Sequence, residues 1–304
     1  MKIGILTFHD SNDNYGQLLQ CFAVETFLKE HGHEPFLIEY NRFNDMKTKN
    51  IIKLLVKKII HKDNKISDYT SIDRGFNAFR KKYIQSYRIK YDSYHDLKKN
   101  PPKLDMIIVG SDQVWNFYGK KRKLNKNIAN SFLLNFVHDD TICSSFAASW
   151  GMTNINKKDR IFFSKSLSKF KLVTVREDSG VKICDSLGIT SKWVVDPTLH
   201  FSKEFYINNF RLSKIDTHNK YLFIYYVENG GSFPFEKIKK WAQEKKLLIK
   251  FASANNGNNP NINEFPTVDK WLELIYNAEY VITNSFHCCV FSMIFQKKFG
   301  VLHI

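Results

Sequence analysis

The chain has 304 residues, 43% of them hydrophobic, with 26 Phe and 14 Tyr. That length and apolar content exclude a disordered chain and favour two domains, or one large α/β unit, with aromatic cores. An excess of 46 basic over 30 acidic residues gives a net charge of +16, which suits nucleic acid, an anionic membrane or polyanionic small substrates. No nucleic-acid module and no zinc-finger spacing is present, so no nucleic-acid partner and no metal are expected. Cys21, Cys143, Cys184, Cys288 and Cys289 form no C-x-x-C pair, which points to reduced thiols and a cytoplasmic location. The amino terminus does not read as a signal peptide, and no apolar run approaches the ~20 residues that span a bilayer.

Lys2 to Phe8 reads as a first strand, followed by a polar loop from His9 to Gly16 that carries Asn14 and Tyr15. From Gln17 the apolar positions Leu18, Leu19, Phe22, Ala23 and Phe27 recur at helical spacing, and Gly32 closes the helix. Pro35 to Tyr40 is a second strand. Strand, helix, strand within forty residues is a βαβ unit, which requires a parallel sheet and puts the Asn12–Gln17 loop at its ligand-binding edge. Residues 47–65 read as a basic amphipathic helix. That pattern fits peripheral contact with an anionic membrane, but more often belongs to an ordinary surface helix packed on its own protein. Arg74 to Arg88 reads as a further helix.

Asp105 to Val109 is a short apolar strand ending in Gly110-Ser111-Asp112-Gln113-Val114-Trp115-Asn116. Glycine lets backbone approach a ligand, and Ser111, Asp112 and Gln113 offer donors and acceptors beyond the strand end; a plain polar turn fits the same residues. Cys143 to Gly151 reads as a strand, passing through Ser149. Leu172 to Asp178 is another, with Arg176 at its end. A guanidinium there can grip phosphate or carboxylate with two parallel bonds, or pair with Glu177 or Asp178. Trp193 to Thr198 is a strand stopped by Asp196-Pro197. Phe201 to Asn219 has little periodicity and is read as the linker, dividing the chain into 1–215 and 216–304.

The second series begins with a strand from Tyr221, a helix from Phe235 to Lys245, and a strand from Leu247 to Ala252. A loop from Asn255 to Pro260 and a helix from Val268 to Ala278 follow. Val281-Ile282-Thr283-Asn284-Ser285-Phe286-His287 then reads as a buried strand, a polar hinge and a helix start. Such a start exposes unpaired N–H groups and the positive end of a dipole, which attract anions. A histidine beside it can also move a proton. Ser285 as a plain N-cap and His287 as an ordinary first-turn side chain are the structural alternative.

In their order these motifs resemble the polysaccharide pyruvyl transferase family over nearly the whole chain. The likeness is carried by Asn14-Tyr15-Gly16 with Leu19-Gln20, and by Gly110-Ser111-Asp112-Gln113-Val114-Trp115-Asn116. It continues through Ala147-Ala148-Ser149, Val175-Arg176-Glu177, Asp196-Pro197-Thr198, and Asn277-Ala278 leading to Thr283-Asn284-Ser285-Phe286-His287. The resemblance implies an α/β fold of two Rossmann-like domains with parallel sheets facing a cleft, in the GT-B-like arrangement. Domain 1–215 would take the acceptor and 216–304 the donor.

The implied activity is transfer of pyruvate from phosphoenolpyruvate to sugar hydroxyls of a cell-surface polysaccharide or its precursor, with no cofactor. His287 and Asp112 would be catalytic. Arg176, Ser285, Asn284 and Ser149 would bind the donor, and Asn14, Tyr15, Gln17, Ser111 and Gln113 would line the acceptor side or cleft loop. The enzyme is expected in the cytoplasm, with the inner face of the membrane as the alternative. Two departures stand out. The family usually has Gly after the motif histidine, where Cys288 is expected to crowd the helix-start N–H groups. The family also usually continues for tens of residues beyond the strand that ends here. A GT-B glycosyltransferase using a nucleotide sugar, with Glu264 or Asp269 on the ribose, and a catalytically altered sugar-binding member are the competing readings.

Overall fold

The computed structural model describes residues 1–46, 73–118, 123–215, 220–227, 233–254 and 261–302. The basic helix expected at 47–65 and the loop Asn255–Pro260 lie outside the described residues. In chain order the strands are β1 (Lys2–Leu6), β2 (Glu34–Tyr40), β3 (Tyr87–Tyr91), β4 (Met106–Val109), β5 (Ile142–Ser145), β6 (Phe170–Leu172), β7 (Thr174–Val175), β8 (Lys192–Trp193), β9 (Tyr221–Tyr226), β10 (Leu248–Ser253), β11 (Tyr280–Thr283) and β12 (Lys298–Val301). The helices are α1 (Tyr15–Glu30), α2 (Arg42–Met46), α3 (Phe76–Tyr83), α4 (Tyr94–Lys99), α5 (Lys126–Phe132), α6 (Arg160–Leu167), α7 (Asp178–Ser186), α8 (Lys203–Phe210), α9 (Phe235–Glu244), α10 (Val268–Asn277) and α11 (Phe286–Ile294).

Contact density divides the chain into two compact units. The described residues of the first are 1–9, 20–46, 84–118 and 123–200; the second holds 10–19, 73–83 and the described residues from 201 onward. The sequence reading divides the chain once, at 215, whereas these units draw the loop 10–19, the first turn of α1 and helix α3 into the second.

The first unit is built on a sheet of order β3-β2-β1-β4-β5-β6 with every neighbouring pair parallel. That is the doubly wound dinucleotide-binding order, and its direction reverses between β1 and β4, where such sheets take their ligands. Leu6 pairs with Val109, the last residue of each strand, so the two chains leave the sheet level with one another. The second unit has the order β10-β9-β11-β12, again all parallel, and reverses between β9 and β11. Its central strand, Tyr-Leu-Phe-Ile-Tyr-Tyr, is buried at every position, as a strand covered on both faces requires. The α/β class with parallel sheets, expected from the βαβ spacing, is the class observed.

Five expectations differ in detail. The strand expected over Trp193–Thr198 ends at Trp193, and Pro197–His200 is a 3-10 turn. The helix expected over Arg74–Arg88 stops at Tyr83, and Tyr87–Tyr91 is an edge strand with a single buried residue, too exposed to show an apolar face. The strand expected over Cys143–Gly151 leaves the sheet after Ser145. The strand expected over Leu172–Asp178 is two pieces, β6 in the main sheet and β7, which pairs with β8 in a separate ribbon. The expected linker carries helix α8, started by the Ser202 side chain accepting from the Phe205 N–H; its weak periodicity hid it, although the cap was readable.

Candidate functional site

In the first unit the strand ends at the β1/β4 reversal are tied together by one amide. Gln20 Nε2 donates to Thr7 Oγ1 (2.9 Å) and to the Phe8 carbonyl (2.8 Å), and its Oε1 accepts from the Ser111 N–H (3.2 Å). The Thr7 hydroxyl donates to the Ser111 carbonyl at 3.2 Å. Gly110 has φ +122°, and a Cβ there would run into the Phe146 carbonyl oxygen, so the turn accepts only glycine. Ser111 is fully buried and its hydroxyl lies 2.8 Å from Asp196 Oδ2 and 3.1 Å from the Ala147 carbonyl.

Asp196 is the hub of this half. Its buried carboxylate also accepts from Arg176 Nη1 (3.1 Å) at Oδ2, and from the Thr198 N–H (3.1 Å) and hydroxyl (2.7 Å) at Oδ1. Arg176 Nη2 stands 3.8 Å from Asp112 Oδ1, and Nε stands 3.9 Å from Glu177 Oε2; these are charge contacts rather than hydrogen bonds. The guanidinium is thus faced by three carboxylates. Of the two ion-pair partners expected, Glu177 is within reach, whereas Asp178 pairs with Lys182 at 2.6 Å. Glu177 Oε1 in turn receives the Trp150 N–H at 2.6 Å. Ser149 is buried, with its N–H on the Asp112 carbonyl (2.9 Å) and its hydroxyl accepting from the Gly151 N–H (3.1 Å). Asp112 sits in the left-handed region, φ 66°, with Oδ1 accepting from the Gln113 N–H at 2.7 Å. Gln113 itself is exposed. Neither the hub role of Asp196 nor that of Gln20 is readable from spacing, because each is completed by Ser111, 85 residues from Asp196 and 91 from Gln20 in sequence.

In the second unit, Ser285 is the N-cap of α11, its hydroxyl accepting from the Cys288 N–H at 3.5 Å. His287 is the second helical residue and is 7% exposed. Its imidazole lies against the backbone of Gly16 in the first turn of α1: a Cβ on Gly16 would fall 2.8 Å from His287 Cβ and nearer still to Cγ and Nδ1. The structure therefore brings together two motifs separated by 270 positions in the sequence. Cys288, which follows the motif histidine, is fully buried, and burial pushes its thiol well above the usual range. The Asn284 amide is engaged by one residue from both ends: Oδ1 accepts from the Val227 N–H and Nδ2 donates to the Val227 carbonyl, each at 2.7 Å. It thereby locks the ends of β9 and β11, the reversal point of this sheet.

The loop residues expected beside the ligand divide by role. Asn14 caps α1, its Oδ1 accepting from the Gln17 N–H at 3.3 Å, and Gln17 is 8% exposed. Tyr15 is fully buried: its ring stacks on Trp271 at 5.1 Å and 5°, meets Tyr225 edge-on at 5.6 Å, and its hydroxyl donates to the Pro266 carbonyl at 2.8 Å. Burial pushes this phenol from 10.0 up to about 12. Between those values the folded state keeps a proton that the unfolded chain releases. The contribution is complete below pH 10 and is lost as pH rises toward 12. Tyr15→Phe is expected to cost about 1–2 kcal/mol near neutrality by removing the bond to Pro266 and a longer one, 3.5 Å, accepted from Arg74 Nη1, and to flatten the alkaline fall in stability. Urea unfolding of both proteins at pH 8 and pH 11 checks this; parallel losses in the two proteins would refute it.

Among the described residues no group of three or more His, Cys, Asp or Glu side chains could hold a metal ion, and no helix is long and apolar enough to cross a membrane. A groove of about 770 Å³ in the first unit, lined by Lys2, Lys29, Glu34, Gln85 and Asp105, opens at the amino ends of β1, β2 and β4. That is the edge opposite to the one at which parallel sheets bind ligands.

Two doubly wound α/β units, each with its polar residues gathered beyond the carboxyl ends of parallel strands, define the GT-B-like class of enzymes. Solved structures with this fold include a protein of Listeria monocytogenes assigned as a UDP-N-acetylglucosamine 2-epimerase (TM-score 0.55, 8% identity, 99% of this chain and 78% of that one). They also include S. aureus MnaA with UDP (0.53, 9%, 100% and 79%). A third is the Methanocaldococcus jannaschii UDP-GlcNAc 2-epimerase in complex with UDP-GlcNAc and UDP (0.51, 15%, 99% and 84%). At these identities the likeness establishes the fold alone. No curated protein matches the sequence. The chain belongs to the polysaccharide pyruvyl transferase family, whose model matches residues 14–302. It is thereby grouped with enzymes that modify sugars.

Proposed function

We propose that this protein transfers pyruvate from phosphoenolpyruvate to two hydroxyls of a sugar in a cell-surface polysaccharide or its precursor, forming a pyruvate ketal. The observation that supports this most is the family match over residues 14–302, which spans both Gly16 and His287. Protonation of the donor's methylene carbon builds positive charge on its neighbour, and a sugar hydroxyl attacks that carbon and loses its proton. Phosphate then leaves, and a second hydroxyl adds and loses its proton to close the ketal.

That sequence needs an acid for the methylene, a base for the hydroxyls and donors for phosphate and carboxylate. His287 is the proposed acid, because an imidazole nitrogen can give up a proton and take it back. Asp112, held by the Gln113 N–H and facing Arg176, is the proposed base. The Ser285-capped start of α11 is the proposed anion cradle. Asn284 acts by fixing the strand end beneath it, and Ser149 by fixing the Asp112 turn. Arg176 is assigned to the donor through Nη2 and Nε, with Nη1 retained by Asp196. A cytoplasmic location fits five free thiols.

Ligand-induced stabilisation separates this reading from its competitors. A ligand at 100 times its Kd raises stability by about 2.7 kcal/mol. Phosphoenolpyruvate is expected to stabilise the protein and UDP or UDP-GlcNAc is not; the reverse pattern would favour a nucleotide-sugar enzyme on the same fold. Release of inorganic phosphate that requires both phosphoenolpyruvate and a glycan acceptor then identifies the reaction.

A further inference from the structure

The geometry points to Gly16 as the positioning residue for His287, the bare backbone of α1 forming the seat on which the imidazole rests. Its catalytic part relies on the pyruvyl transfer reading; the seat itself does not. Gly16 is the second residue of α1, and it is not among the glycines with positive φ. Its backbone conformation is therefore open to any residue, and helix propensity alone would favour alanine there. The three atoms nearest to a Cβ there all belong to the histidine: His287 Nδ1, Cγ and Cβ. Glycine is thus required by the partner ring and not by the chain that carries it.

Neither side of the contact can easily give way. The first turn of α1 is held by Tyr15, stacked on Trp271 and bonded to Pro266. A shift of α1 away from the ring would break that packing. His287 lies in the first turn of α11, where the rotamers open to a helical side chain are few, and the Phe286 ring stands edge-on to it at 5.1 Å. A methyl group at position 16 is therefore expected to drive the imidazole out of its present place while leaving both helices formed. A displacement of about 1 Å in a reacting group commonly costs about 10²-fold in rate.

The test is Gly16→Ala, made alone and in a His287→Gly background. Alone, it is expected to lower kcat for phosphate release by about 10²-fold, with a smaller change in KM for phosphoenolpyruvate. It should also shift the His287 ring resonances in ¹⁵N-imidazole NMR spectra. In the His287→Gly background both the ring and its Cβ are gone, so Gly16→Ala should not lower kcat further and should raise Tm, as helix propensity then acts unopposed. Should Gly16→Ala alone fail to fold, recovery of folding in the double variant supports the seat, and failure in both overturns it. Parental kcat with unmoved ring resonances would also overturn it, as would an equal loss of Tm in the two backgrounds. If the parent shows no pyruvyl transfer at all, the function assigned above fails. The NMR shift and the Tm comparison then still decide whether Gly16 seats His287.

Discussion

His287→Ala is expected to reduce phosphate release from phosphoenolpyruvate plus acceptor by about 10²- to 10⁴-fold at saturating donor, the range for loss of a general acid. Folding should survive, because the elements that form the helix start do not depend on the ring. Ser285 still caps α11, the Thr283 hydroxyl still bonds the Tyr225 carbonyl at 2.6 Å, and Asn284 still holds Val227. The comparison must be made at saturating donor, since a residue that only binds phosphoenolpyruvate would raise KM and leave kcat in place. Turnover near the parental value would reduce His287 to a packing residue.

Arg176→Met is expected to destabilise the first unit by about 3–5 kcal/mol, the usual loss when one partner of a buried ion pair is removed. The magnitude follows from Asp196, whose side chain is 0% exposed and which accepts the Arg176 bond at the same oxygen as the Ser111 hydroxyl. Without the guanidinium that carboxylate stays buried with its charge uncompensated, or takes up a proton and releases Ser111. Urea unfolding measures the loss, and an unchanged midpoint would show that the cluster contributes nothing. Arg176→Lys separates the two roles assigned to this residue: it keeps the charge but loses the planar fork. Weaker phosphoenolpyruvate binding in a stably folded Lys variant supports donor contact. Parental binding with lowered stability would leave Arg176 as a structural ion pair only.

The sequence displayed those parts of the molecule that are local. Strands β1, β2, β4, β9, β10 and β11 announce themselves as short apolar runs, and the cap at Ser285 with a histidine two residues later is a feature of consecutive residues. The turn after β4 was likewise visible, because glycine followed by polar residues at a strand end has few other uses. Edge strand β3 was hidden because its stability comes from pairing with β2 rather than from an apolar face of its own. Tyr15 was misplaced for a related reason. An aromatic flanked by Asn14 and Gly16 looks like a ligand-loop residue, and only the tertiary position of Trp271 and Tyr225 turns it into core. Asp196 and Gln20 illustrate the same limit at the candidate site: spacing says which residues stand at strand ends, but the bonds that order them cross long stretches of chain.

Tyr15 and Gly16 are adjacent in one helix yet perform opposite tasks, the first filling space and the second keeping it vacant. In a helix of 3.6 residues per turn each step rotates the side chain by about 100°, so the two tasks are linked by angle as well as by identity. Tyr15, keyed between Trp271 and Phe76, sets the azimuth of the helix, and the vacancy at position 16 then points where His287 lies. Register therefore matters here more than composition. A substitution on the remainder of the turn leaves the azimuth alone, whereas one residue inserted between Tyr15 and Gly16 would move the vacancy about a quarter-turn and put a side chain in its place. The opening stretch of this chain works as an indexing pin for a histidine near its other end.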